Sequence, residues 1–195
     1  TLSLFTPEGI AAALYYIIHS TLAGAALFLI ADLVRTGRGS LDLTAQPPMA
    51  GAALTAGFFF VGAIAMAGLP PLSGFLGKLL VLNASFSAPQ AVWIWGVVLV
   101  SSLVSILGFA RAGSILFWKA ESMTLEGADP SRSVPWPLSY VAVGGLIGLL
   151  AAHTVFAGQM HGYTSKIAGQ LFDPAPYMLK VLDTPGKLSQ PKEGH

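Results

Sequence analysis

Four stretches of this chain, Ile10–Ile30, Met49–Leu69, Ala91–Ala110 and Trp136–Ala152, together hold 79 residues and not one Asp, Glu, Lys or Arg. At the chain's average of 10% charged residues, about eight charges would fall there. A helix of about 20 apolar residues crosses the hydrocarbon core of a bilayer, and each run has that length or extends to it. The sequence therefore describes an all-α integral membrane protein with the lipid bilayer as its first partner. A mean hydropathy of +0.69 and 22 glycines in 195 residues agree with that class. The net charge of +1 gives no basic footprint for nucleic acid. The absence of cysteine excludes disulfides, thiolate metal sites and a Cys nucleophile.

Thr6-Pro7-Glu8 reads as an N-cap, a proline at the first helical position and an acid at the positive end of the helix dipole. The expected first span covers residues 8–34 and ends at the Gly-punctuated segment 35–40. A second span starts after Pro47-Pro48 and runs through residues 49–86. It meets Gly68-Leu-Pro-Pro-Leu-Ser-Gly74, where two prolines remove backbone donors and exclude a regular helix. The whole is too long for one straight crossing, and its second piece is short for a span. The economical reading is one discontinuous helix, broken at 68–74 at membrane depth. Such a break is tolerated where it is buried in protein or lines a wet cavity. Residues 85–90 form a turn, 91–118 a third span, 119–135 a polar loop and 135–157 a fourth span. The transmembrane bundle thus occupies residues 1–157. Residues 158–195 form an extracytoplasmic tail with a short surface helix over Tyr163–Phe172 and a disordered end after Thr184.

Lys and Arg concentrate in the loops after spans one and three (Arg35 and Arg38; Arg111, Lys119 and Arg132), so both loops are expected to be cytoplasmic. No signal peptide is visible, because the apolar runs are too long and no basic segment precedes the first. The chain opens without Met just before a helix, as the C-terminal portion of a longer protein would.

Lys78 is the most informative residue. An ionisable side chain near mid-membrane costs ~2.5–3.5 kcal/mol even on the permissive insertion scale, so it needs a reason to be there. It lies four residues after Gly74, just beyond the break formed by Gly68, Pro70, Pro71 and Gly74. A snorkelling lysine is the bland alternative, but Lys78 is flanked by apolar residues in both directions, which favours a proton or cation relay. His19 sits mid-way along the first span, with Tyr15, Ala23 and Ala26 on its face and Ser20 beside it. An imidazole titrating near pKa 6.5 suits reversible protonation. A neutral histidine bonded to a neighbouring helix is its alternative.

Weaker candidates are Tyr15, Ser20, Asp32 and Arg111; the last two lie near a span end and read first as interfacial anchors. Ser101, Ser105, Gly108 and Ala112 form a stripe of small residues, most simply a close helix–helix contact. His153 and His161 fall at the outer end of the last span, with a surface position as the default. Trp93, Trp95, Trp118, Trp136 and Tyr140 fall where an aromatic belt would. The sequence carries no phosphate loop, nucleophile elbow or metal-ligand spacing, so no catalysis on a small organic substrate, no metal and no cofactor is expected.

Gly68-Leu-Pro-Pro-Leu-Ser-Gly-Phe-Leu-Gly-Lys78-Leu-Leu-Val-Leu82 resembles a signature of the antiporter-like membrane subunits shared by respiratory complex I and Mrp-type cation/proton antiporters. In that family the segment is a broken helix whose charged residue ends a central row of proton-carrying groups, and Lys78 matches it. Ala13-Leu-Tyr-Tyr-Ile-Ile-His19-Ser-Thr-Leu-Ala-Gly-Ala-Ala-Leu-Phe28 resembles the preceding helix, and His19 matches a histidine on the same polar axis. Some relatives carry a lysine one turn later, where this chain has Ala23. The tail, in particular Leu171-Phe-Asp-Pro-Ala-Pro-Tyr-Met-Leu-Lys-Val-Leu182, resembles the D subunits of the Mrp (Pha) systems.

The resemblance implies the last four of about fourteen spans, part of the second of two inverted repeats. The upstream glutamate–lysine pair that the family implies is absent from this chain. The resemblance further implies a proton-translocating subunit of a multisubunit Na+ or K+/H+ antiporter in a bacterial inner membrane. It would work beside other membrane subunits and would not be an enzyme. The homologous proton-pumping subunit of complex I or a membrane hydrogenase is the alternative, and a purely structural subunit is a rival of another class.

Overall fold

A computed structural model describes residues 4–40, 42–121 and 134–183. Every regular element among them is helical: α1 (Pro7–Arg38), α2 (Ala52–Ala67), α3 (Ser73–Ala84), α4 (Ala91–Gly113), α5 (Lys119–Glu121), α6 (Pro137–Val155), α7 (Ala157–Phe172) and α8 (Ala175–Leu182). A π-helical turn, Ser114–Trp118, joins α4 to α5 without interrupting the rod. Three of these are long and apolar enough to cross a membrane: α1, the rod Ala91–Trp118, and α6. The shorter apolar helices α2 and α3 occupy the stretch where the sequence leads one to expect a discontinuous crossing.

α1 begins as its sequence dictates. Thr6 has extended backbone and its Oγ1 accepts from the Gly9 amide at 3.0 Å, while Pro7 and Glu8 occupy the first turn. It ends later than residue 34, because Gly39 takes a left-handed conformation (φ 76°) and donates to the Arg35 carbonyl. Arg38, within this last turn, is buried and donates to the Thr44 carbonyl, folding the following loop back on the helix. At 1.5 Å per residue, 32 residues make a rod of ~48 Å, longer than the ~30 Å hydrocarbon core.

α1 is the axis of the bundle. Tyr15, His19, Ala23, Ala26, Ile30 and Leu33 recur every three or four residues and are all buried, which defines its inner face. Towards the Arg38 end this face meets Phe59 and Ala63 of α2 and Val143 of α6. Phe109 of α4 and Phe117 of the π turn close the same cluster, with Phe59 at 6.2 and 5.5 Å from their rings. At mid-length Ala23 meets Ala65 of α2 and Leu150 of α6. The small side chains at these points let backbones approach, which is how helices associate where surrounding lipid is as apolar as their own surfaces.

Three details depart from the sequence expectations. The helix after the fourth span starts at Ala157 rather than Tyr163, and it packs along α1, burying Thr164 and Ala168. Of the small-residue stripe, Ala112 packs against the core cluster, whereas a Cβ added at Gly108 would meet nothing within 4 Å. From Ala91 to Ala112 α4 has no buried residue, and it touches α2 chiefly at its far end, around Gly113. The loop expected over 119–135 is helical through residue 121. Its remaining part up to residue 133, and the tail after Thr184, lie outside the described residues.

Candidate functional site

The broken crossing creates the site. α2 stops at Ala67 because Gly68 turns left-handed (φ 70°) and its amide, with that of Leu69, folds back onto the Ala65 and Ile64 carbonyls. Pro70 and Pro71, joined by a cis peptide bond, cannot continue the ladder, and a new helix starts at Ser73. The break exposes carbonyls at the end of α2 and amides at the start of α3, and in a membrane both sets need partners from the protein or from water.

The Ala67 carbonyl finds Lys78. The Lys78 side chain curls back from one turn into α3, and its Nζ donates to Ala67 at 2.6 Å and to Ser102 Oγ of α4 at 2.8 Å. Ser102 in turn donates to the Val98 carbonyl at 2.6 Å. An ammonium at a helix C-terminus sits at the negative end of the dipole, an arrangement worth up to ~2 kcal/mol in partly buried sites. Gly68 is required twice here: by its positive φ, and because a Cβ would lie within 2.6–2.7 Å of the Lys78 side chain.

The start of α3 finds α6 and α1. The Ser73 amide donates to Thr154 Oγ1 at 2.9 Å, and that hydroxyl donates onward to the Leu150 carbonyl at 2.9 Å. Ser73 Oγ lies 2.9 Å from Nδ1 of His19, and both residues are fully buried. Gly74 permits this approach, since a Cβ there would collide with the Ala65 carbonyl and stand 2.7 Å from His19 Nε2. His19 lies nine residues from Ile10 and eleven from Ile30, so the break sits near the middle of the first charge-free run.

Beyond His19 the polar groups continue. Tyr15, one turn earlier and fully buried, stacks on His153 of α6 with ring centroids 4.5 Å apart and planes tilted by 31°. Tyr16 lies beside His19 at 5.7 Å. His153, expected at the surface, is 4% exposed because α7 continues past the end of α6 along α1. His19 Nε2, Tyr15 Oη, both ring nitrogens of His153 and His161 Nδ1 are buried with no hydrogen-bond partner.

The structure thus brings together Lys78, His19, Tyr15, Gly68, Pro70, Pro71 and Gly74. It adds Ser73, Ser102, His153 and Thr154. Ser73 stood inside the break motif; the other three had no local pattern to mark them, since Ser102 acts from α4 and His153 and Thr154 act from α6. Of the weaker candidates Tyr15 thus joins the site, and the other three stay outside. Ser20 donates to its own helix at the Ile17 carbonyl, 3.1 Å away. Asp32 pairs with Arg35 at 2.7 Å on the exposed end of α1, and Arg111 is exposed on α4. Among the described residues, no three His, Asp or Glu side chains converge as a metal site would require.

The transmembrane family described as "NADH:quinone oxidoreductase/Mrp antiporter, TM" matches residues 1–107. The D subunit of the Na(+)/H(+) antiporter of Alkalihalophilus pseudofirmus is 32% identical over 93% of this chain and 36% of its own length. The D subunit of a probable K(+)/H(+) antiporter of Rhizobium meliloti is 29% identical over 93% of this chain and 38% of its own length. Shorter matches reach the N and L subunits of NADH-quinone oxidoreductases. A solved structure of the Mrp complex from Dietzia sp. DQ12-45-1b contains a chain with a TM-score of 0.74. At 24% identity, over 92% of this chain and 41% of that one, it shows the fold alone. The chain spans about a third of the length of the curated relatives it matches.

Proposed function

Because this chain belongs to the NADH:quinone oxidoreductase/Mrp antiporter transmembrane family, and is thus part of a multi-pass membrane protein, we propose that it carries the last proton-relay groups of a multisubunit Na+ or K+/H+ antiporter. The observation that carries the reading is one helix break holding two titratable side chains, Lys78 on the stump of α2 and His19 on the start of α3. Two relatives that match along 93% of this chain, both antiporter D subunits, support it further. The protein is an ion-transport subunit of the bacterial inner (plasma) membrane, working beside other membrane subunits of the same complex.

In this mechanism Lys78 and His19 take up and release protons. As an ammonium, Lys78 clamps the end of α2 to α4 through Ala67 and Ser102. On losing its proton it has one donor fewer and no charge to hold against the helix dipole, so the clamp weakens. Protonation is thereby coupled to the geometry of the break, and the path can switch. His19 holds Ser73 on one nitrogen and keeps the other, Nε2, for the transferred proton. The metal cation moves the opposite way.

The test is dye-monitored collapse of an imposed pH gradient in everted vesicles carrying the complete native gene set, in a host without its own antiporters. Collapse on adding Na+ or K+, lost in an assembled Lys78→Ala complex, is the expected result. A well-assembled wild type that ignores both cations would sink the antiporter reading in favour of a redox-driven pump, towards which the matches to N and L subunits point. Unchanged transport in Lys78→Ala would leave the chain a purely structural role.

A further inference from the structure

The Ser73 hydroxyl has one place to put its hydrogen. Ser73 is fully buried and opens α3, so no carbonyl of its own helix stands one turn behind it. Its amide is given to Thr154 Oγ1, and the Thr154 hydrogen goes to the Leu150 carbonyl. Among the described residues, the one partner within hydrogen-bond reach of Ser73 Oγ is His19 Nδ1, 2.9 Å away. A buried O–H without an acceptor is a defect that native structures keep rare. The hydroxyl therefore donates, and Nδ1 accepts.

A neutral imidazole has one donor nitrogen and one acceptor, so an accepting Nδ1 puts the ring proton on Nε2. Nε2 stands beside the Ala65 carbonyl, in the last turn of α2, where a Cβ on Gly74 would strike both. The ring thus turns its N–H to the carbonyl end of the break and its lone pair to the Ser73 end. Lys78 and Thr154 obey the same sorting by sign, the cation on Ala67 and the acceptor on the Ser73 amide. The opposite tautomer fails twice. It strands the Ser73 hydrogen, and it sets the Nε2 lone pair beside a carbonyl oxygen.

We infer that Ser73 is a positioning residue: its hydroxyl fixes the neutral His19 ring with the proton on Nε2, and so aims that proton at the carbonyl end of the break, where Ala67 holds Lys78. Ser73 carries no charge and acts through the ring alone. Nε2 has no hydrogen-bond partner in the protein, so the proton it carries is the one that no acceptor ties down. What the aimed proton does in transport rests on the relay reading above; the tautomer itself does not.

The test uses the complete complex, grown with isotope-labelled histidine and reconstituted in lipid. Solid-state NMR correlates each ring nitrogen with its carbons, which tells Nδ1 from Nε2 and a protonated nitrogen from a bare one. The His19 signals are those that His19→Gln removes. A bare Nδ1 and a protonated Nε2 are expected in the neutral wild-type ring. Ser73→Ala keeps the amide bond to Thr154 and removes the hydroxyl alone, so rings with the proton on Nδ1 are expected to appear. Ser73→Cys, whose thiol is a weak donor, is read in its place where the alanine variant does not assemble. Ser73→Thr returns a hydroxyl and is expected to restore the wild-type spectrum. Transport in everted vesicles is expected to fall at least about tenfold in Ser73→Ala, as loss of a well-placed proton carrier does, and to recover in Ser73→Thr. A proton on Nδ1 in the wild type, or a spectrum that Ser73→Ala leaves unchanged, overturns the assignment. A changed spectrum with wild-type transport overturns the positioning role. Should the wild type show no cation response, the antiporter reading fails while the spectrum still decides the tautomer.

Discussion

At the carbonyl end of the break, Ala67 meets a cation: the Lys78 ammonium at 2.6 Å, shared with a hydroxyl on α4. At the amide end, Ser73 meets neutral oxygen and nitrogen: the Thr154 hydroxyl from α6 and the His19 ring from α1. The helix dipole sorts these partners by sign, placing positive charge where carbonyls are exposed and acceptors where amides are. The two ends differ in completeness as well. Lys78 holds two partners in a half-buried setting, whereas His19 keeps one buried nitrogen unbonded and opens onto a row of others in the same state. One end of the break is a clamp that charge can tighten or release; the other is a junction that calls for water.

The largest effect is expected where both ends fail together. Gly74→Ala drives a Cβ into the Ala65 backbone carbonyl, and neither helix can give way without moving the break. Overpacking at a backbone contact costs roughly 3 kcal/mol or more, so little assembled complex is expected on a native gel. If Gly74→Ala assembles and transports normally, the close packing at the break is not needed.

An intermediate effect separates the amide end. Thr154→Val keeps the shape of the side chain but leaves the Ser73 amide without its acceptor. A loss of about 1–3 kcal/mol is expected, read as a lower thermal midpoint of the solubilised complex. The smallest effect belongs to the carbonyl end. Ser102→Ala removes one of two Lys78 partners where water can replace it, so less than about 1 kcal/mol is expected. A midpoint shift for Ser102→Ala equal to that of Thr154→Val would erase the contrast between clamp and junction.

The spans, the break and Lys78 are legible because each is a local statement. Charge-free length, a Pro-Pro pair between two glycines, and a lysine among leucines carry their meaning without neighbours. His153 is not legible in this way. Its burial depends on α7 continuing along α1, and nothing in residues 153–161 announces that direction. In the stripe Ser101, Ser105, Gly108 and Ala112 the last residue packs against the core cluster while Gly108 has open space beside it: small residues at helical spacing permit a close contact but do not supply its partner. The end of α1 reads one turn early because Gly37 looks like punctuation, whereas the left-handed stop is Gly39.

By itself the sequence determined that this protein crosses a membrane as helices, that one crossing is interrupted, and that a cation lies beside the interruption. Hydrocarbon excludes charge and unpaired backbone whatever the fold, so composition and proline placement suffice for these. Only the tertiary structure decided which groups close the two ends of the break, and that His19, Tyr15 and His153 share one row. The pairings of His19 with Ser73, Ser73 with Thr154 and Tyr15 with His153 join residues more than 50 positions apart, and they exist because α1, α3 and α6 pack against one another, while Lys78 reaches Ser102 through the contact of α3 with α4.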